Sequence, residues 1–172
     1  KAPIARAIKP YLFRKIKPLV LGGLRRQDSV YNGLKAIDKH SKWVLIHDSA
    51  RPFVGRAAIT KVIRQAKKSG AAILGVRPKA TIKFSQGNNM VARTLDRNKL
   101  WEIQTPQVFK KQLLFKAYKK YGKNNFTDDA GLVERSGGKV KIVAGSYLNM
   151  KITTVEDLLL ARLIAKKGFN GI

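Results

Sequence analysis

Hydrophobic residues along this chain follow two alternating spacings. Continuous apolar runs, typical of buried strands, lie at 18–21, Trp43–Ile46, Ala71–Val76 and 140–143. Between and after these runs, apolar residues recur every three or four positions, which predicts helices over 30–40, 58–69, 113–118, 130–135 and 158–165. Strands that alternate with helices form βαβ units. The pattern therefore predicts an α/β fold, in which a mostly parallel sheet carries helices on both faces.

Residues with a preference for helix ends support three of these predicted helices. Asp28 and Ser29 are N-cap residue types directly before the first helical pattern. Gly70 follows the second pattern, where a glycine typically ends a helix. Thr154 and Asp157 have the spacing of a capping box, which predicts the start of the last helix.

The segment 77–109 interrupts the alternation of strands and helices. Two short stretches of β-type residues, 81–84 and 90–93, flank the polar residues 86–89, and this arrangement predicts a hairpin. The chain shows no internal repeat, low-complexity tract or linker. We therefore expect a single domain over 1–172, with the hairpin as an insertion.

The composition restricts the classes of protein to which the chain can belong. With 172 residues, 44% of them hydrophobic, it is long enough to bury the core of one domain. It has no cysteine, which excludes disulfides and thiolate metal sites. No uninterrupted apolar run reaches the roughly 18 residues of a membrane span, and the first residues lack a signal-peptide pattern. These features favour a soluble, cytoplasmic protein without a membrane partner.

The charge is strongly unbalanced, since 36 Lys and Arg against 10 Asp and Glu give a formal net charge of +26. A chain this basic attracts polyanions such as nucleic acids, anionic membranes or phosphorylated small molecules. Lysines dispersed over amphipathic helices are also an ordinary solvated surface. The charge alone therefore leaves both interpretations open.

Polar residues cluster where the predicted strands end, which is where α/β sheets bind ligands. Gly22 and Gly23, with two arginines before a helix N-terminus, form either an anion cradle or an ordinary glycine turn. After the strand Trp43–Ile46, Asp48 offers a ligand for Mg²⁺ and Arg51 a partner for phosphate or carboxylate. The alternative is that Asp48 caps a turn and pairs with Arg51.

Three more residues have a structural and a functional interpretation. Thr105 and Thr127 lie in short polar segments, where they are either turn and cap residues or substrate ligands. Lys151 lies between the last predicted strand and the last predicted helix, a position from which a lysine can contact a phosphate. The two histidines, His40 and His47, show no metal-binding or catalytic spacing.

Five segments give the chain a resemblance to a known family, in the order "GGLRRQDSVYNGL", "LIHDSARPFV", "TLDRNKLWEIQTPQVF", "FTDDAGLVE" and "NMKITTVEDLLLA". This order resembles that of the 2-C-methyl-D-erythritol 4-phosphate cytidylyltransferases over roughly residues 17–166. The resemblance implies a three-layer, Rossmann-like fold. It implies an enzyme that joins CTP to methylerythritol phosphate and releases pyrophosphate, in the non-mevalonate isoprenoid pathway. It also implies Mg²⁺ as cofactor and a homodimer, with the hairpin, about 77–100, as dimerisation arm.

The resemblance also implies roles for individual residues through the motif in which each one stands. Lys151 is implied to stabilise the charged α-phosphate, and Asp48 to hold the metal and place the substrates. The positions implied to bind CTP are Gly22, Gly23 and Ser29. The positions implied to bind the methylerythritol phosphate are Ser49, Arg51, Thr105 and Thr127, together with Thr81 and Arg97 on the arm of a partner subunit.

One part of the family pattern does not occur in this sequence. Residues 1–16 lack the glycine-rich, phosphate-binding stretch that precedes the Gly-Gly turn in the family, and we expect the first strands of the fold to be missing with it. Because that loop holds the triphosphate, the 172-residue chain alone is expected to be weakly active or inactive.

Two rival functions stay open at this point. A ribitol 5-phosphate cytidylyltransferase would share most of the five motifs. A basic nucleic-acid-binding protein would explain the charge, but the aromatic content of 8% is low for a protein that stacks bases. We therefore expect no nucleic acid as the physiological partner.

Overall fold

The main sheet of the computed structural model, which describes residues 19–168, has four strands in a mixed arrangement. In sheet order they are β1 (Trp43–Ile46), β5 (Glu102–Lys110), β2 (Ala71–Val76) and β6 (Lys141–Ala144). The fifth strand along the chain, β5, is antiparallel to both of its neighbours, whereas β2 and β6 are parallel. Three of these four strands consequently point in the same direction.

Five α-helices and one 3₁₀ turn accompany the strands in this part of the chain. The helices are α1 (Arg26–Ala36), α2 (Arg56–Ser69), α3 (Lys111–Tyr121), α4 (Asp129–Arg135) and α5 (Val155–Lys166), and the 3₁₀ turn is Arg97–Lys99. None of the helices described has the length and hydropathy needed to cross a membrane.

Helices cover both faces of the sheet because its central strand β2 is apolar on both sides. All six residues of β2 are buried, and alternate side chains of a strand point to opposite faces. Ala71 and Ile73 belong to a core cluster with residues of α1, α3 and α4, whereas Ala72 and Leu74 belong to a cluster with residues of α2. The predicted α/β fold with helices on both faces is confirmed.

The predicted hairpin is also present. Within residues 19–168, the strands β3 (Ile82–Ser85) and β4 (Val91–Leu95) pair only with each other, from Ile82 opposite Leu95 to Ser85 opposite Val91. Most of their side chains are exposed. The hairpin therefore projects from the domain instead of extending the main sheet.

Two predictions near the start of the described chain are wrong. Residues 19–23 form no strand, and position 18 lies outside the described residues. Helix α1 begins at Arg26, with Arg25 as its N-cap, and it ends at Ala36. Asp28 is thus the third residue of the helix, where its carboxylate accepts a hydrogen bond from the backbone N–H of Arg25. The capping preference of Asp28 therefore acts from the third helical position, where its carboxylate accepts from both the backbone and the side chain of the N-cap residue Arg25.

Strand β5 was not expected, because Gln104, Thr105, Pro106 and Gln107 give it the polarity of a loop. All four are nevertheless buried in the structure. The register with β2 shifts there, since Ile73 pairs with Gln107 and the next residue, Leu74, pairs with Gln104. Thr105 and Pro106 therefore bulge out of the ladder. Bulges of this kind redirect side chains and are common beside functional sites.

Two glycine-to-alanine substitutions should have opposite effects on stability. Gly70 ends α2 with a φ of 84°, and an L-residue there costs about 1 kcal/mol of strain or more. Gly33 lies inside α1, and nothing stands within 4 Å of where its Cβ would be. Gly33→Ala should therefore raise the free energy of unfolding by about 0.5–1 kcal/mol, whereas Gly70→Ala should lower it. Urea denaturation of both variants checks the signs, and an equal loss in both would contradict the backbone argument.

Candidate active site

A cleft of about 530 Å³ lies at the carboxyl end of β1. The polar residues of its wall come from the start of α1, the loop after β1, the bulge of β5, the start of α4 and the loop before α5. Among them are Arg26, Asp48, Arg51, Thr105, Thr127 and Lys151. The fold thus brings together segments that are separated by more than a hundred residues in sequence.

Asp48 is the centre of charge in this cleft. Its Oδ1 lies 3.2 Å from a guanidinium nitrogen of Arg26, and its Oδ2 lies 3.3 Å from Nζ of Lys151. The same Oδ2 is 3.9 Å from Nε of Arg51. One carboxylate thus faces three cations, although Asp128 and Glu134 also line the cleft, so the positive charge is concentrated around Asp48 and does not extend over the whole wall.

The three cations are held to different degrees. The side chain of Lys151 is 41% exposed, whereas that of Arg51 is 13% exposed. Arg51 donates through one terminal nitrogen to the carbonyl of Asn149, at 2.8 Å. Arg51 is therefore anchored between the two loops, while Lys151 has the freedom to leave Asp48 for a substrate phosphate.

The electrostatics of the cluster keep Asp48 ionised. Partial burial opposes the charge of the carboxylate, but Arg26 and Lys151 outweigh it, so that the pKa of Asp48 is below its ordinary value. For Arg51, burial prevails over the neighbouring charge. Desolvation lowers the pKa of Arg51, because Asp48 compensates only part of it.

Hydrogen bonds fix the backbone that carries Asp48. The N–H of Asp48 donates to Oγ1 of Thr105 at 2.9 Å, and the same hydroxyl lies 3.0 Å from Nδ1 of His47. The other ring nitrogen of His47 lies 3.0 Å from the carbonyl of Arg51, which can only accept. In the neutral ring, Nε2 therefore carries the proton and Nδ1 accepts from Thr105. This geometry gives His47 and Thr105 a role in shaping the loop.

A second acid, the buried Asp129, holds Arg26 in position beside the cleft. The sequence pattern did not predict this role. The side chain of Asp129 is 1% exposed and accepts from the hydroxyl of Tyr118 at 2.6 Å and from Arg26 at 2.8 Å. Burial, followed by the charge of Asp129, raises the pKa of Tyr118 far above its ordinary value. Arg26 is thus held between Asp129 and Asp48. The pair of arginines in "LRRQ" was the available signal, but it did not tell which of them faces the cleft.

Arg25, the other arginine of that pair, is directed away from the cleft. It forms an ion pair with Asp28 at 2.7 Å and donates to the carbonyls of Gly122, Lys123 and Asn124. Of the two interpretations that the sequence left open, a cradle that uses both guanidiniums does not form, because Arg25 fastens the start of α1 to the loop after α3.

The glycine turn before α1 is closed by Ser29. Its Oγ accepts from the N–H of Gly23 at 2.9 Å and lies 3.3 Å from the carbonyl of Arg25. A Cβ on Gly23 would collide with the side chain of Asp28, and one on Gly22 would meet Oγ of Ser29 at 3.0 Å. The turn therefore requires glycine at position 23 for steric reasons.

Comparison with known proteins links this geometry to one enzyme family. The family model described as 2-C-methyl-D-erythritol 4-phosphate cytidylyltransferase matches residues 5–167. A protein of that name from Shouchella clausii is 48% identical over 169 residues, which are 97% of this chain and 73% of the relative. Another, from Syntrophus aciditrophicus, is 46% identical, over 92% of this chain and 69% of its own length. The chain belongs to the 2-C-methyl-D-erythritol 4-phosphate cytidylyltransferase family.

Solved structures agree with this family membership. The 4-diphosphocytidyl-2C-methyl-D-erythritol synthase of Anaerococcus prevotii superimposes with a TM-score of 0.87 at 36% identity, over 96% of this chain and 74% of its own. The cytidylyltransferase of Thermus thermophilus has a TM-score of 0.78 at 34% identity, over 90% and 79%. The predicted family and the predicted Rossmann-like α/β fold are both confirmed.

The cleft collects part of the residues that the cytidylyltransferase resemblance implied. Asp48, Arg51, Thr105, Thr127 and Lys151 all line it. Four others do not belong to its wall: Ser49 is exposed beside Asp48, and Gly22, Gly23 and Ser29 form the turn that leads into α1. Their roles in binding remain predictions.

Thr81 and Arg97 lie at the base of the hairpin and not in the cleft of the same chain. Both are exposed, and Arg97 donates to the carbonyl of Lys79 at 2.6 Å. This placement is compatible with the implied contact to a second subunit.

The carboxylates of the cleft fit a magnesium ion that shares its ligands with a substrate. Asp128 is engaged, since one oxygen accepts from the N–H of Gly131 and the other from Gln107. Over the described part of the chain, no three His, Cys, Asp or Glu side chains converge as a metal cage. The other acids of the lining are Asp48, the ligand that the resemblance implies, and the exposed Glu134. Mg²⁺ commonly binds through one or two carboxylates, waters and substrate phosphates.

Asp48 should make the stability of the protein depend on acid pH. Its pKa is lower in the folded chain than the ordinary value of 3.8, so the unfolded state takes up this proton first as the pH falls. Its contribution is complete well above pH 3.8 and is lost as the pH falls through the folded pKa. Asp48→Asn should therefore flatten the loss of unfolding free energy below about pH 5. Urea titrations against pH check this, with Glu102→Gln, at an exposed position outside the cleft, as control; identical slopes for the parent and Asp48→Asn would contradict it.

Proposed function

We propose that the protein transfers the cytidylyl group of CTP to the phosphate of 2-C-methyl-D-erythritol 4-phosphate and releases pyrophosphate. The observation that carries the proposal is the cleft in which Asp48 faces Arg26, Arg51 and Lys151. Two anionic substrates must approach each other in this reaction, and the three cations gathered around Asp48 lower their repulsion. The name carried by the relatives supports the same substrates.

The reaction mainly requires the protein to position the two substrates and to stabilise negative charge on the transferred phosphoryl group. The phosphate of the alcohol is ionised at neutral pH and attacks the α-phosphorus of CTP in line, so that pyrophosphate leaves from the opposite side. No protein base is required, which agrees with the structural role of His47. Lys151 is the side chain proposed to stabilise the negative charge that develops on the α-phosphoryl oxygens.

The other residues of the cleft would hold the two substrates. Arg51 and Thr127 are proposed to lie beside the methylerythritol phosphate, while the turn of Gly22, Gly23 and Ser29 is proposed to receive the cytosine. Mg²⁺, held by Asp48, would neutralise charge on the phosphates. Thr105 would act by holding the N–H of Asp48, at 2.9 Å.

A dimer is part of the proposal because Thr81 and Arg97 lie on the hairpin, outside the cleft of their own chain. In a homodimer, the hairpin of one subunit would present them to the partner's methylerythritol phosphate. A mixture of Arg97→Ala and Lys151→Ala subunits tests this by complementation. Recovery of about a quarter of the parent turnover in the mixture supports a shared site, and no recovery contradicts it. A cytoplasmic location, where CTP is available, completes the proposal.

The direct test is pyrophosphate release by the full product of the gene, with CTP and one alcohol phosphate at a time. Release with methylerythritol phosphate, and at least tenfold lower kcat/KM with ribitol 5-phosphate, is the expected result. A preference for ribitol 5-phosphate would replace the proposed substrate.

A further inference from the structure

A second and larger cavity lies at the opposite end of β1 from the cleft. It measures about 1240 Å³ and is formed by the end of α1, the loop 37–42, the start of β1 and the start of α3. Trp43, the first residue of β1, lines this cavity, whereas Asp48 lies two residues beyond Ile46, the last residue of the strand. At about 3.3 Å per residue along a strand, the length of chain from Trp43 to Asp48 separates the two sites by roughly 15 Å.

The rim of this cavity is uniformly basic. Among residues 19–168, its charged lining residues are seven lysines and no Asp or Glu, the lysines being Lys35, Lys39, Lys42, Lys110, Lys111, Lys116 and Lys119. The nearest acid in sequence, Asp38, has Oδ1 occupied by the N–H of His40 at 2.7 Å. Neighbouring cations that repel one another are expensive in a folded protein unless an anion compensates them.

Some of these lysines are already engaged, and the others are available to a ligand. Lys111 donates to the carbonyl of Asp38 at 2.8 Å, and Lys35 and Lys119 lie over the rings of Tyr31 and Phe115. The remaining four, which are Lys39, Lys42, Lys110 and Lys116, form no ion pair with any acid of residues 19–168.

The floor of the cavity is apolar. Leu34 is buried, while Ile37, Trp43 and Phe115 are partly buried and pack against the core clusters. An apolar floor under a rim of ammonium groups matches a ligand with two unlike parts: a flat or aliphatic body and a head with several negative charges.

The shape favours a small molecule over a polymer. Cavities of several hundred cubic ångströms or more enclose ligands of the size of a nucleotide or a lipid-like diphosphate. Proteins that bind single-stranded nucleic acid instead present exposed aromatic rings along a groove. Here the aromatic side chains lie in the floor of one concave site and are half-buried.

From these observations, we propose that this cavity binds an organic di- or triphosphate, whose phosphates contact Lys39, Lys42, Lys110 and Lys116 and whose apolar body lies against Trp43 and Phe115. The site is separate from the proposed cytidylyltransferase cleft. Occupancy therefore does not depend on whether that cleft performs the proposed reaction.

Trp43 reports directly on occupancy of this cavity. The chain has two tryptophans, and the other, Trp101, stacks under Arg77 outside the cavity lining. In the Trp101→Phe protein, we expect ATP and decyl diphosphate, added separately, to change the fluorescence of Trp43 and to saturate. Inorganic triphosphate should bind at least fivefold more weakly, because it lacks a body for the apolar floor. The difference between ATP and decyl diphosphate tells whether the body is aromatic or aliphatic.

Matched charge reversals separate this site from the general basic charge. Lys42→Glu/Lys116→Glu and Lys61→Glu/Lys67→Glu change the net charge equally, but the second pair lies on α2, outside the cavity. We expect at least a tenfold loss of affinity in the first variant and less than a twofold loss in the second. Lys151→Ala, in the other cleft, should also leave affinity within twofold. Circular dichroism checks folding, and Lys42→Gln/Lys116→Gln replaces the first variant if it does not fold.

Three results would overturn the proposal. Equal losses of affinity in the two charge-reversal variants would mean that the ligand is held by non-specific attraction to the basic surface. Inorganic triphosphate binding as tightly as the organic ligands would remove the role of the apolar floor. Binding of a single-stranded RNA or of anionic vesicles, dependent on Lys42 and Lys116 and stronger than that of both organic phosphates, would assign the surface to a macromolecule.

Discussion

Replacing Lys151 by alanine is expected to lower kcat for cytidylyl transfer by roughly 100-fold or more, with little change in the free energy of unfolding. The side chain is 41% exposed and its ion pair with Asp48 is 3.3 Å long, so its removal leaves no buried hole. The loss arises because the charge on the α-phosphoryl oxygens develops in the transition state, where a fixed ammonium group stabilises it most.

Two further variants test whether the loss of kcat is specific to an ammonium group at position 151. Lys151→Arg should restore only a small part of kcat, because a planar guanidinium places its charge differently from an ammonium group. Lys67→Ala, which removes an exposed lysine from α2, should leave kcat within twofold. Steady-state kinetics in the full product of the gene give all three values. A Lys151→Ala enzyme whose KM for CTP rises while kcat stays unchanged would contradict the proposed role.

The second large effect is expected from Asp129→Ala, which should lower the free energy of unfolding by about 2–4 kcal/mol. The carboxylate is 1% exposed, and its removal leaves the hydroxyl of Tyr118 buried without its acceptor at 2.6 Å. It also leaves Arg26 with Asp48 as its remaining acidic partner. Turnover should fall too, since Arg26 would then compensate more of the charge of Asp48.

A double-mutant cycle isolates the buried contact. Tyr118→Phe alone should cost about 1–2 kcal/mol, and Tyr118→Phe/Asp129→Ala should cost about 1 kcal/mol less than the sum of the single variants. Glu102→Gln, at an exposed carboxylate, is the control and should change stability by no more than about 0.5 kcal/mol. Strict additivity of the two single variants, measured by urea denaturation, would contradict a direct energetic coupling.

The sequence predicted those parts of the fold in which local pattern and tertiary environment agree. The strand Ala71–Val76 and the end of α2 at Gly70 follow from a continuous apolar run and from a glycine at a helix end. The box of Thr154 and Asp157 at the start of α5 follows from spacing alone. In each case the information lies within a few residues of the feature.

Strand β5 is an element that the local sequence pattern does not predict. Gln104, Thr105 and Gln107 are buried polar residues, and each is satisfied by a partner from elsewhere in the chain: Gln104 by the carbonyl of Ser146, Gln107 by Asp128. A local pattern cannot show that such partners exist. The polar residues consequently resembled a loop, although they form the strand between β1 and β2.

The candidate site likewise has some residues that the sequence motifs predicted and others that they did not. Motif order was sufficient to place Asp48 and Lys151 in one cleft, where their side chains meet at 3.3 Å. Motif order did not separate Arg25, which binds backbone carbonyls, from Arg26, which faces Asp48. Neither did it reveal Asp129, since an acid inside a helix N-terminus has the appearance of a cap. These assignments depend on the direction of side chains, which only the packed structure determines.

The central claim is that this cleft forms a diphosphate bond between CMP and methylerythritol phosphate. ³¹P NMR of the full gene product incubated with CTP and equal amounts of methylerythritol phosphate and ribitol 5-phosphate tests it most directly. We expect one new pair of diphosphate resonances, from the cytidine diphosphate of methylerythritol, together with pyrophosphate, and in the same time roughly a hundredth or less of both from the Lys151→Ala enzyme. New resonances from the ribitol product alone, or pyrophosphate without any new diphosphate, would contradict it.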